Sequence, residues 1–316
     1  MALLEINHLK KYFHVSAGAL HAVDDITMKI EKGRTMGVVG ESGCGKSTLG
    51  RTAIRLLDAT DGQVLLNGED ITFAKGKDLR RLREQMSIIF QDPYSSLNPR
   101  KTVLDTIKEP LKESHRYNRK EIEERAFELM NLVGIEDRLK MAYPHEMDGG
   151  RRQRVGIARA IALMPQFIMC DEPVSALDVS IQAQVLNLLM ELQEKFDLTY
   201  MFVTHDLSVV RHISDDISVM YLGQLVETCS SRDLFATPLH PYTKALLSAI
   251  PSTDIDNPMR RVELKGEITS AINPDPGCRF APRCPYATEQ CKQPQVLEEI
   301  APRHFVSCCR VREING

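Results

Sequence analysis

Apolar and polar residues alternate along residues 2–31, in Leu3-Leu4-Glu5-Ile6 and again from Ala22 to Ile30. A period of two predicts half-buried antiparallel strands. The pattern then breaks into short apolar runs separated by helical stretches. Met36-Gly37-Val38-Val39 reads as a buried strand, followed by a glycine-rich turn and a helix from Leu49 to Leu56. Gly62–Gly68 reads as a strand and hairpin-type turn, and Ser87–Phe90 as a short buried strand ending in Gln91-Asp92-Pro93. Residues 103–141 are charged, with apolar residues at helical spacing in Glu121–Met130, which predicts a helical insertion. Next come a helix over Val155–Leu163 and an apolar strand from Phe167 that closes on Asp171-Glu172-Pro173. A helix over Ser180–Lys195, capped by Asp178 or Ser180, leads to a strand from Thr199 to Thr204 that ends in His205-Asp206. Strands alternating with helices predict an α/β fold whose parallel sheet binds ligand at the carboxyl ends of its strands.

The glycine-rich turn is Gly40-Glu41-Ser42-Gly43-Cys44-Gly45-Lys46-Ser47-Thr48. Between a strand and a helix, this is a phosphate-binding P-loop in its required context. Gly40, Gly43 and Gly45 admit torsions closed to other residues, so successive N–H groups can converge on one anion. Lys46 is expected to reach the β- and γ-phosphates and the Ser47 hydroxyl to ligate Mg²⁺, with Ser42, Cys44 and Thr48 completing the site. A nucleoside triphosphate is the predicted ligand. Beside such a loop, Asp171 suits holding Mg²⁺ and Glu172 suits polarising an attacking water. His205 suits the γ-phosphate or that water from the opposite side. Gln91 offers an uncharged amide for metal and water. Upstream, Phe13, or else Tyr12, either stacks on an adenine ring or is an ordinary strand aromatic.

At 316 residues the chain predicts about two domains. A net charge of −3 gives no electrostatic case for nucleic acid. No run of 18 apolar residues is present, and the start Met-Ala-Leu-Leu-Glu-Ile lacks the features of a signal peptide. The expectation is a soluble cytoplasmic protein that could still sit on a membrane through partner subunits. Ten of the sixteen prolines lie from Pro238 onward, which predicts a boundary near residue 236.

Lys46-Ser47, Gln91, the pair Gly149-Gly150 with Arg151-Arg152-Gln153-Arg154, Asp171-Glu172, Ser175-Ala176-Leu177-Asp178 and His205 follow one another in an order that resembles the ATPase subunit of ATP-binding cassette transporters. The resemblance covers residues 2–235. Phe90–Arg100, Leu239–Pro251 and the trailing cysteines resemble more narrowly the second ATPase subunit of bacterial dipeptide and oligopeptide importers. It implies a P-loop NTPase core over 1–235 with an antiparallel β subdomain and a helical subdomain at about 92–153. A small proline- and cysteine-rich extension follows over 236–316. It also implies ATP and Mg²⁺, the latter on Ser47, Gln91 and Asp171. Catalysis falls to Glu172, His205 and Gln91, with a loop carrying Ser175 and Asp178 beside them. The implied partners are a second ATPase subunit in a head-to-tail dimer, two membrane permeases and a periplasmic or lipid-anchored binding protein. The implied location is the cytoplasmic face of a bacterial membrane. Import of di- or oligopeptides is the implied task, with nickel, opines or oligosaccharides as other cargo of the same machinery. An ATPase of this family acting on ribosomes or DNA would carry twin nucleotide domains or basic surfaces. A GTPase would carry an Asn-Lys-x-Asp motif. Neither is present.

The family's signature loop is normally Ser-Gly-Gly-Gln, whereas this chain has Asp148-Gly149-Gly150-Arg151. An Asp caps its own helix well. Facing the partner's γ-phosphate it repels: like charges at about 4 Å cost on the order of 4 kcal/mol at an effective dielectric of 20. Arg151 offsets part of this, and the expectation is a weakened composite site on the partner's nucleotide. Of eight cysteines, Cys44, Cys170 and Cys229 are read as packing residues, while Cys278, Cys284, Cys291, Cys308 and Cys309 crowd the last 39 positions. Four thiolates on a proline-rich segment suit zinc or an iron–sulfur cluster. The resemblance implies a [4Fe–4S] cluster on Cys278, Cys284, Cys291 and Cys308.

Overall fold

In the computed structural model, residues 1–250 and 270–316 are described. Pro251, the last residue of the expected Leu239–Pro251 motif, lies outside them, as does part of the expected 236–316 extension. The chain divides into two compact units. The first holds Met1, Glu31–Arg34 and Ala74–Met201; the second holds Ala2–Ile30, Thr35–Phe73 and Phe202–Gly316.

The second unit contains an antiparallel sheet in which Ala2–Val15 lies between Gly18–Glu31 and Asp61–Leu66, with Glu69–Asp70 at the edge. The alternation along residues 2–31 is thus realised, with Leu4 facing Leu66 and Ile6 facing Val64 across the ladder. Its other sheet segment runs Glu298–Ala301, His304–Val306, Gln224–Ser230, Asp216–Tyr221, Thr35–Val39. Only the last of these pairings is parallel, Val38 lying opposite Ser218. Every residue of Thr35–Val39 is buried, as a near-continuous apolar run with cover on both faces should be. The C-terminal strands therefore extend this sheet. Phe280, between two of the cysteines, packs into one cluster with Val39, Tyr221, Tyr242 and Val226, and Cys278 and Cys284 lie against it. Burial of each large apolar side chain contributes about 1.5–3 kcal/mol.

The first unit pairs Met86–Ile89 with Phe167–Asp171 in parallel, Ile89 lying opposite Cys170. Its charged stretch resolves into two helices, Val103–Ser114 and Arg119–Leu132, separated by a turn. Asn118 starts the second with a capping box: its side chain accepts from the Lys120 and Glu121 amides while Glu121 reaches back. The helix expected at Val155 begins six residues earlier, spanning Gly149–Ile161, because Asp148 caps it. The helix expected over Ser180–Lys195 spans Val179–Phe196 with Asp178 at its cap position. No described helix is long and apolar enough to cross a membrane.

Candidate functional site

The phosphate loop lies in the second unit. After the buried strand Thr35–Val39, the chain turns through Gly40, Gly43 and Gly45 at φ of 155°, 78° and 105° and enters the helix Lys46–Ala53. At Gly45 both torsion and space demand glycine, since a Cβ there would lie 1.9 Å from the Ala22 carbonyl oxygen. Lys46 is buried, and its Nζ donates to the Gly40 and Glu41 carbonyls at 2.8 and 2.9 Å. Cys44 is buried beside it, and burial raises its thiol; Cys170 and Cys229 are buried too, in keeping with packing roles. Ser42 is exposed and Ser47 and Thr48 are half-buried. His205, in the same unit, is exposed just past the strand that ends at Thr204, and Asp206 caps the next helix by accepting from the Ser208 amide at 2.8 Å.

Aromatic residues at the start of this unit are engaged locally. Tyr12 stacks on His21 with ring centroids 3.9 Å apart, and its hydroxyl donates to Asp24. The Lys11 ammonium sits 4.9 Å from the Phe13 ring centroid. Asp24 also receives Arg279 from the C-terminal region. Burial alone would raise the Asp24 carboxyl, but bonds from Tyr12, His21 and Arg279 outweigh it and hold it below the usual carboxylate range.

The first unit carries the carboxylates. Asp171 is fully buried at the end of its strand and Glu172 follows half-exposed. Glu172 has a φ of 47°, left-handed for a residue with a side chain. Such a torsion costs on the order of 1 kcal/mol or more and is found where surroundings enforce it. Nothing in Asp-Glu-Pro announces it. Gln91 Nε2 donates to Glu172 Oε2 at 2.9 Å, so two expected site residues meet directly. Ser175 Oγ donates to the Glu172 carbonyl at 3.1 Å and steadies the same turn. Asp178 is exposed and makes no side-chain cap bond.

The signature segment also belongs to the first unit. Asp148 Oδ1 accepts from the Arg151 amide at 2.8 Å, and the Arg151 guanidinium returns to Asp148 Oδ2 at 3.4 Å and to Glu136 at 3.7 Å. Space is tight at both glycines: a Cβ at Gly149 would meet Leu177 Cδ2 at 3.1 Å, and one at Gly150 would meet Ile181 Cγ2 at 2.6 Å, where something must shift.

The expected cluster on Cys278, Cys284, Cys291 and Cys308 requires correction. Among the described residues, the one group of three or more potential ligands whose donor atoms converge is Glu227, Cys229 and His304, all buried. Burial pushes the Cys278 thiol up to about 12 and also raises Cys284 and Cys308. Cys278 and Cys284 instead pack against the Tyr221–Tyr242–Phe280 cluster. A buried polar knot at Glu227 links the strand Gln224–Ser230 to the C-terminal strand His304–Val306. Glu227 accepts from His304 Nε2 at 2.7 Å and from the Leu239 and His240 amides at 2.8 and 2.9 Å.

Comparison with known proteins bears on the same points. The profile described as ABC transporter matches residues 23–175, and the oligopeptide/dipeptide transporter C-terminal region matches residues 226–291. The oligopeptide transport ATP-binding protein AppF of Bacillus subtilis is 51% identical, with 97% of this chain and 96% of that protein covered. OppF of Salmonella typhimurium is 48% identical, covering 98% of this chain and 96% of its own length. A dimeric ATP-binding cassette, MJ0796, solved in a post-hydrolysis state bound to ADP and Pi, has a TM-score of 0.66 at 28% identity. It covers 72% of this chain and 99% of its own. These relatives are named for ATP binding and transport and not for an iron–sulfur centre, so the [4Fe–4S] expectation is set aside. With about half of its residues shared along nearly the whole length of such relatives, the chain belongs to the ABC transporter family, as an ATP-binding subunit of the oligopeptide and dipeptide transporter type.

Proposed function

We propose that the chain hydrolyses ATP to drive peptide import through membrane permeases, docked at the cytoplasmic face of the membrane and served by a substrate-binding protein. The phosphate loop is the single observation that carries this reading: left-handed glycines, a buried Lys46 and a helix N-terminus are what a polyphosphate requires. The relatives' names supply the cargo. In the proposal the ATPase core spans 1–235, with its helical part at about 92–153, and the extension spans 236–316. Nucleotide is held by Gly40, Ser42, Gly43, Cys44, Gly45, Lys46, Ser47 and Thr48, with Phe13 toward the base. Ser47, Gln91 and Asp171 offer the hard oxygen donors that suit Mg²⁺, which neutralises phosphate charge when bound. Glu172 draws a proton from the attacking water, His205 orients that water or the γ-phosphate, and Gln91 steadies Glu172 through its amide. Ser175 supports the Glu172 turn, and Asp178 lies in the loop toward a second subunit.

That second subunit is a related ATPase, and the dimeric state of the similar cassette supports the pairing. Asp148, Gly149, Gly150 and Arg151 face the partner's nucleotide, and the acidic signature weakens that composite site. The Arg151–Asp148 contact at 3.4 Å reduces the repulsion without removing it. The test is Glu172→Gln in the fully assembled transporter. ATPase is expected to fall by about 100-fold or more while nucleotide still binds; turnover at the parent rate would defeat the proposal.

A further inference from the structure

The C-terminal region grips the phosphate loop at Glu41, a residue that the loop motif itself leaves unassigned. Arg283 Nη1 lies 3.0 and 2.9 Å from the two Glu41 carboxylate oxygens and 3.4 Å from the Tyr221 hydroxyl. From the other side, the Glu41 amide donates to the Tyr242 hydroxyl at 2.9 Å. The Glu41 carbonyl in turn accepts from Lys46 Nζ at 2.9 Å. A continuous polar chain thus runs from Arg283 and Tyr242 through both side chain and backbone of Glu41 to the lysine of the phosphate loop. Its anchors are buried. Tyr242 is wholly buried, Arg283 is 8% exposed, and Tyr221 and Tyr242 stand edge to face with centroids 4.7 Å apart. A partly buried, charge-assisted contact of this kind fixes orientation as well as adding energy.

We propose that Arg283 and Tyr242 are positioning residues for ATP binding, so that the C-terminal region acts as a strut that sets the posture of the phosphate loop. The inference rests on the ATP-binding reading above and assigns the extension a role in it. Both Glu41 contacts come from one nitrogen of Arg283, so a lysine ammonium can replace much of what the guanidinium does. A neutral side chain of similar length cannot.

The experiment uses the full chain assembled with its natural partners. It measures ATPase kinetics, binding of a fluorescent ATP analogue, and thermal unfolding. Arg283→Met is expected to raise KM for ATP roughly tenfold with kcat at saturating ATP nearly unchanged. Arg283→Lys restores most of the loss. Tyr242→Phe, which removes a single oxygen, raises KM less and keeps the test open should Arg283→Met fail to assemble. Pairing Glu41→Gln with Arg283→Met adds little beyond either change alone. Lys46→Ala serves as the reference. If it abolishes analogue binding while the Arg283 and Tyr242 variants bind as the parent does, the strut is overturned and the ATP reading stands. If Lys46→Ala also binds as the parent does, both readings fall together. Variants that lose thermal stability and kcat with KM unmoved also overturn the strut, because they mark a merely structural contact.

Discussion

Two glycine-bearing loops in this chain each open a helix, and they are built on opposite principles. At Gly40–Thr48 the glycines serve the backbone, taking left-handed torsions with a carbonyl oxygen 1.9 Å from where the Gly45 Cβ would stand. At Asp148–Arg151 they serve neighbouring side chains, with Ile181 and Leu177 filling the space a Cβ would need. The first loop is anchored from beneath by buried tyrosines and an arginine; the second is an exposed cap whose polar groups satisfy one another. A loop fixed by its main chain tolerates little change anywhere. A loop whose shape depends on a cap can exchange side chains, and this one carries Asp and Arg where the family has Ser and Gln.

The largest expected effect comes from breaking that contrast directly. Gly45→Ala forces both torsion and a clash with backbone and is expected to cost about 3–5 kcal/mol, whereas Gly150→Ala keeps an ordinary torsion and meets a side chain, costing about 1–2 kcal/mol. Denaturant unfolding of the two variants measures the difference; equal losses would erase the distinction.

Acid sharpens the comparison from another side. His240, buried at the start of the helix that carries Tyr242, accepts from the Tyr242 amide through Nδ1 at 3.1 Å, which requires an unprotonated nitrogen. Burial lowers its pKa from 6.5 to about 4. The unfolded chain therefore takes up this proton first, so the contribution is whole above pH 6.5 and is lost as pH falls toward about 4. The loss amounts to about 3 kcal/mol. His240→Asn retains a cap acceptor that does not titrate in this range, and its stability is expected to vary less with pH over that window. An unchanged slope would remove His240 from the account.

The smallest effect belongs to the exposed loop. Asp148→Ser with Arg151→Gln keeps a helix cap of similar strength, so thermal stability should barely move. ATPase of the assembled transporter should rise, by about tenfold or less. A fall, or no change, would show that the acidic signature does not weaken the composite site.

Much of this architecture was legible in the residue pattern because the signals were local. The period of two along residues 2–31, the apolar run before Gly40 and the two carboxylates closing Phe167–Asp171 each stand in a short window. What escaped notice is long-range or conformational. Glu41 meets Tyr242 and Arg283 across separations of 201 and 242 positions, which no local pattern connects. The left-handed Glu172 has no residue type that would signal it. The helix start at Gly149 was readable in principle, since an Asp directly before a glycine pair can cap, but the glycines argued against helix. Clustered cysteines on a proline-rich tail pointed toward a metal for want of a visible core. That core is shared: Phe280, Cys278 and Cys284 belong with a cluster that includes Val39, more than two hundred positions upstream.

Among the described residues, the ammonium of Lys46 leans on two neutral peptide oxygens and the Cys44 sulfur. An ammonium cradled by dipoles is oriented without being spoken for by a carboxylate. An arriving triphosphate thus has no salt link to sever at that amine.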